Sequence, residues 1–139
     1  MIHFESTLSS STESNESMLQ ACWFKECREK HEECTSAFPK SNFVPSRLIK
    51  IQGPDINNLS IRLQDKSSLP TQVSYATLSH CWGTIMPFKL TLENLDACMD
   101  SVPMPSLTKV FQDTLRYAYR SGIQYLWIDS LCRWTPVKL

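Results

Sequence analysis

Two strand-forming runs with an amphipathic helix pattern between them constrain this chain more than any other feature. VSYATLSHCW (73–82) and IQYLWIDSLC (123–132) are rich in aromatic, β-branched and other apolar residues. The second is nearly continuous in apolar residues, the pattern of a strand covered on both faces. Between them, SLTKVFQDTLRYAYRSG (106–122) places Leu107, Val110, Phe111, Thr114 and Ala118 at helical spacing. Ser106 is a candidate N-cap, and Gly122 stands where a C-cap glycine belongs. Strand, helix and strand in that order most simply give parallel neighbours joined by a crossover.

The flanking segments fit the same architecture. PSRLIKI (45–51) and LSIRLQD (59–65) are short β-type runs joined by a turn-rich QGPDINN, which predicts a hairpin. TLENLDACM (91–99) predicts a short helix, with Thr91 as N-cap and Asn94 at the capping-box position. LQACWFKECREKHEEC (19–34) holds no Gly or Pro and predicts one helix, closed at Phe38–Pro39. The expected class is α/β. The expected division is a disordered polar tail at 1–18, a helix and linker at 19–41, and the α/β domain at 42–139.

Bulk properties exclude several functions. Fourteen basic and fourteen acidic side chains cancel, so the field expected of a nucleic-acid binder is missing. No run approaches the ~20 apolar residues of a membrane span. The first residues lack the basic and apolar regions of a secretory signal. The six cysteines are therefore expected as thiols in a reducing cytosol or nucleus, and the cytoplasm is the expected location.

Ser79, His80 and Cys81 are adjacent, and together they carry the residue types of nucleophilic catalysis. In a strand, however, His80 faces away from Ser79 and Cys81, so the base–nucleophile hydrogen bond requires the backbone to turn. The alternative is a strand end in which His80 bonds locally and Cys81 packs as a small hydrophobe. Asp129 is a lone acid inside an apolar run, costly to bury without a partner. It lies at the carboxyl end of the expected strand, where open α/β sheets bind ligands. His80, Arg116 and Arg120 are its conceivable partners, and a structural anchor and a ligand contact both remain open.

Cys22, Cys27, His31 and Cys34 have the spacing C-x4-C-x3-H-x2-C, unlike common zinc fingers. On one continuous helix Cys22 points away from Cys27 and Cys34, so all four cannot converge, and no metal is expected. With only three scattered glycines there is no phosphate loop, and no cofactor is expected.

YATLSHCWG (75–83), LTLENL (90–95), SLTKVFQDTLRYAYRSGI (106–123) and YLWIDSLC (125–132) together resemble the opening motifs of the fungal heterokaryon-incompatibility (HET) domain. Order and spacing agree as well as the words. The helix carrying Trp23, Cys27, His31 and Cys34, with PSRLIKI, is similar to the segment that often precedes that domain. The resemblance covers about residues 22 to 132.

The resemblance implies a role in fungal self/non-self discrimination, ending in growth arrest and cell death when incompatible hyphae fuse. The implied mode is assembly with protein partners or with itself. The implied fold is a partial TIR-like, flavodoxin-like three-layer arrangement with an N-terminal helix and β-hairpin, incomplete at the C-terminus. Candidate functional residues are His80, Cys81, Trp82, Trp127 and Asp129.

Some TIR domains cleave NAD with a catalytic glutamate, so an NAD-consuming enzyme is the alternative, with its pocket near His80, Cys81 and Asp129. Glu93 is the neighbouring acid that could replace a missing glutamate. Family members continue after Leu131–Cys132 with an apolar pair, a Gln-Asp element and an acidic helix, whereas this chain reads RWTPVKL. The chain is therefore expected to hold the first half of the domain. That expectation leans away from catalysis and leaves a non-functional fragment as a third reading.

Overall fold

In the computed structural model, residues 12–37, 43–81, 83–84 and 88–133 are described. Their elements are helices α1 (Thr12–Lys30) and α2 (Glu32–Ala37), strands β1 (Arg47–Gln52), β2 (Ser60–Asp65) and β3 (Ala76–Leu78), helices α3 (Leu95–Asp100) and α4 (Lys109–Arg120), strand β4 (Tyr125–Ile128), and a helical turn α5 (Asp129–Cys132). The chain divides into two compact units, Met1–Ser41 and Asn42–Leu139.

In the first unit α1 begins at Thr12, inside the stretch read from the sequence as tail. A run free of Gly and Pro allows that extension. The single helix predicted through Cys34 is instead broken at His31, which separates α1 from α2. The predicted stop at Phe38–Pro39 lies outside the described residues.

The second unit is built on a mixed four-stranded sheet in the order β2-β1-β4-β3. β1 and β2 form the predicted hairpin, with Ile49 opposite Leu63 and Ile51 opposite Ile61. β4 pairs antiparallel with β1 and parallel with β3, so the crossover inferred from the sequence is present. The hairpin loop is held by Asp55, whose carboxylate accepts from the backbone N–H of Asn57 (2.8 Å) and Asn58 (3.1 Å).

Side chains at alternate positions build one core. Ile49, Ile51, Ile61, Leu63, Leu126 and Ile128 share a sheet face, and Phe111, Leu115 and Ala118 of α4 join them in a single buried cluster. Leu48 and Tyr125, on the opposite face, are also buried. The buried stripe of α4 runs through Phe111, Leu115 and Ala118, with Leu107 buried just ahead of the helix, whereas Val110, predicted on the core face, is 57% exposed. Within the helix the stripe advances by steps of four and three residues, which leaves Val110 off it.

The helix ends follow local chemistry. Thr91 and Asn94 bond reciprocally across the turn before α3: the Asn94 side chain accepts from the Thr91 N–H (2.8 Å), and the Thr91 hydroxyl accepts from the Asn94 N–H (3.3 Å). The helix α3 itself begins at Leu95, with Asn94 rather than the predicted Thr91 at its N-cap. The predicted cap of α4, Ser106, is instead taken up in a 3-10 turn, Met104–Ser106. Thr108 caps the helix, its side chain accepting from the Phe111 N–H.

Gly122 ends α4 as predicted. With φ of 72° it allows the Ile123 N–H to reach the Ala118 carbonyl (2.8 Å) and the Gly122 N–H to reach that of Tyr119 (3.1 Å). That is the Schellman arrangement, and it turns the chain into β4.

Leu115→Ala is expected to destabilise the chain by about 2–5 kcal/mol, because it leaves a cavity in the shared cluster. Val110→Ala is expected to stay within about 0.5 kcal/mol. Urea unfolding of both variants checks the assignment of the helix face, and equal effects would contradict it.

Candidate functional site

Parallel strands that end at one level leave a crevice beyond their carboxyl ends. β3 and β4 end together, with Leu78 opposite Ile128. The side chains just beyond them are His80 and Asp129. Alternation carries His80 to the face of Ala76 and Leu78, and only 11% of its side chain is exposed. The imidazole meets the Phe111 ring edge-on, with centroids 4.7 Å apart and planes at 88°. Such contacts contribute about 0.5–1.5 kcal/mol beyond burial.

His80 Nδ1 stands 3.8 Å from Asp129 Oδ1. At that separation the two groups form an ion pair when the imidazole is protonated, and they are too far apart for a direct hydrogen bond. Asp129 opens α5, where the helix dipole favours a carboxylate, and its Oδ1 accepts from the Ser130 N–H at 2.7 Å. Of the partners weighed for Asp129, the structure brings His80 to it, whereas Arg116 lies 3.4 Å from Asp113.

The site continues into residues that sequence reasoning passed over. Ser130 is completely buried, and its hydroxyl has no hydrogen-bond partner among the described residues. Its carbonyl accepts from the Leu90 N–H at 2.8 Å. Asn94 in turn donates from Nδ2 to the Lys89 carbonyl at 3.0 Å. The loop before α3 is thereby fastened to the end of β4. A serine inside an apolar run was the available signal for this contact, but its neighbours are fixed only by the tertiary fold.

The remaining candidates separate. Ser79 and Cys81 are exposed while His80 is turned inward, so the three adjacent residues do not share an environment. Glu93 is exposed. Trp82 lies outside the described residues. Trp127 pairs in register with Thr77 and therefore sits on the face opposite the core cluster. There it lines an open cleft of about 570 Å³ with Phe43, Arg47, Tyr75, Thr77 and Cys132. The five candidates thus fall into a strand-end pair, His80 and Asp129, a cleft residue, Trp127, an exposed thiol, Cys81, and Trp82, which is not described.

The sequence model of the heterokaryon incompatibility protein (HET) family matches residues 75–133. The matched span contains β3, His80, α3, α4, β4 and α5. No curated protein and no solved structure matches the chain.

Burial pushes the Cys132 thiol up to about 12. A thiol so protonated is a poor nucleophile, whereas Cys81 is exposed. Native alkylation at mildly alkaline pH is expected to label Cys132 at least about tenfold more slowly than Cys81, with the difference lost in urea. Mass spectrometry of the labelled peptides reads both rates, and equal native rates would show that α5 is not seated against the sheet.

Proposed function

Because residues 75–133 carry the sequence of the HET family, we propose that the protein acts in fungal self/non-self recognition and signals cell death by assembly. The observation that carries this reading is the family match over the segment that builds the strand ends. Assembly is further supported by β3, an edge strand of three residues paired only with β4 among the described residues. An open strand edge is a template for pairing with another chain. The half-buried Trp127 beside it offers an aromatic anchor in a concave site, the kind of residue that dominates interface energetics.

The reading includes a TIR-like, flavodoxin-like ancestry for the parallel β3–α4–β4 unit and action in the cytoplasm. No helix among the described residues is long and apolar enough to cross a membrane. The occupant of the cleft and of the open edge is, on this reading, a protein: another copy of the chain or a downstream partner.

The test is expression of the chain in fungal cells, with growth arrest and viability as readouts. Asp129→Ala and Trp127→Ala, at matched protein abundance, are each expected to raise survival by about tenfold or more, as loss of an interface anchor does. Undiminished killing by both variants would reject the site. Killing accompanied by loss of cellular NAD, and abolished with it by His80→Ala, would replace assembly with the enzyme reading.

A further inference from the structure

The N-terminal unit holds a second cluster of reactive side chains. Cys27 lies in the last turns of α1, His31 at the break, and Cys34 in α2. The candidate ligand atoms of these three residues all lie within 4.8 Å of one another. On an unbroken helix positions i and i+7 stand about 10 Å apart along the axis, too far for one ion. The break at His31 folds Cys34 back towards Cys27 and makes the convergence possible. The sequence reading of one helix hid this arrangement, while its exclusion of Cys22 agrees with the three residues that meet.

We propose that Cys27, His31 and Cys34 bind a zinc ion that ties α1 to α2. Around tetrahedral zinc, with Zn–S about 2.3 Å and Zn–N about 2.0 Å, ligand atoms stand roughly 3.5–3.8 Å apart. Side-chain rotations of about 1 Å therefore close the present cluster onto a metal. Two thiolates and an imidazole suit zinc better than calcium or magnesium, which take oxygen ligands. A tetrahedral ion keeps one further position, open to water or another donor.

The surroundings give the ion a role. Every described side chain of this unit with an assigned burial is exposed or half-buried, so the unit has no core of its own among those residues. Leu19, Trp23 and Phe24 of α1 are 53%, 60% and 54% exposed. Small units without a core depend on a cross-link such as a structural metal. Without an ion the two thiols face each other, and their mutual contact raises the Cys27 thiol above its ordinary value. Zinc binding releases the thiol protons to solvent and joins the helices, with no change of oxidation state.

The experiment uses the full chain, reduced and metal-free, titrated with Co²⁺ and then Zn²⁺. One equivalent of Co²⁺ is expected to give the strong visible bands of tetrahedral thiolate coordination, bleached by Zn²⁺. Cys27→Ser and Cys34→Ser should abolish those bands, and Cys22→Ser should keep them. In the unmodified chain, Zn²⁺ should slow alkylation of Cys27 and Cys34 about tenfold or more and leave exposed Cys22 unchanged as an internal control. Absence of the cobalt bands overturns the proposal. Binding that survives both serine variants, alkylation of Cys27 and Cys34 indifferent to zinc, or a Cys27–Cys34 disulfide that forms while the reduced chain ignores metal does so as well.

Discussion

The sheet depends on the pairing of β4 on both sides. Of its four residues, Tyr125 and Leu126 pair with β1 on one flank, and Leu126, Trp127 and Ile128 pair with β3 on the other. Without β4 the β1–β2 hairpin has no link to β3, and an isolated two-stranded hairpin is marginal in water. The same four residues connect α4 to α5, so the helix over the core and the turn under the site are both anchored through them. Gly122 makes this possible. Its left-handed backbone ends α4 within one residue and delivers the chain to the sheet in register.

That dependence explains why the strand-end site is ordered despite its short elements. β3 contributes only three residues, yet Leu78 is held opposite Ile128, and His80 is pressed against Phe111. Asp129 is fixed from the other side, because α5 begins immediately after β4. The Leu90–Ser130 hydrogen bond then ties the loop before α3 to the same point. The buried Ser130 hydroxyl runs against this economy. It is completely buried and has no hydrogen-bond partner among the described residues.

The legible parts of the sequence were those decided by local chemistry or by an uninterrupted period. The β1–β2 hairpin and the Gly122 stop follow from residues within a few positions of each feature, and the parallel β3–β4 pairing follows from the helical period between two strand-forming runs. The misread parts were decided by competition. YLWIDSLC reads as one strand, but Asp129 favours a helix start, and the chain turns after Ile128. Val110 satisfies the helical period as well as Leu115 does, and only the direction of α4 over the sheet separates them. His80 and Asp129 could each be named from the sequence, but their proximity depends on two strands ending at one level.

The break at His31 belongs to this second class. Nothing in KECREKHEEC (25–34) forbids a continuous helix, since it contains neither Gly nor Pro. Glu32 and Glu33 are well placed in the first turn of a new helix, where its dipole favours negative charge. The same acids near the end of a longer helix would oppose the dipole there. Charge therefore favours a new helix start at Glu32 over one continuous helix, and that division brings Cys34 back towards Cys27. The helix break and the gathering of Cys27, His31 and Cys34 are one structural event.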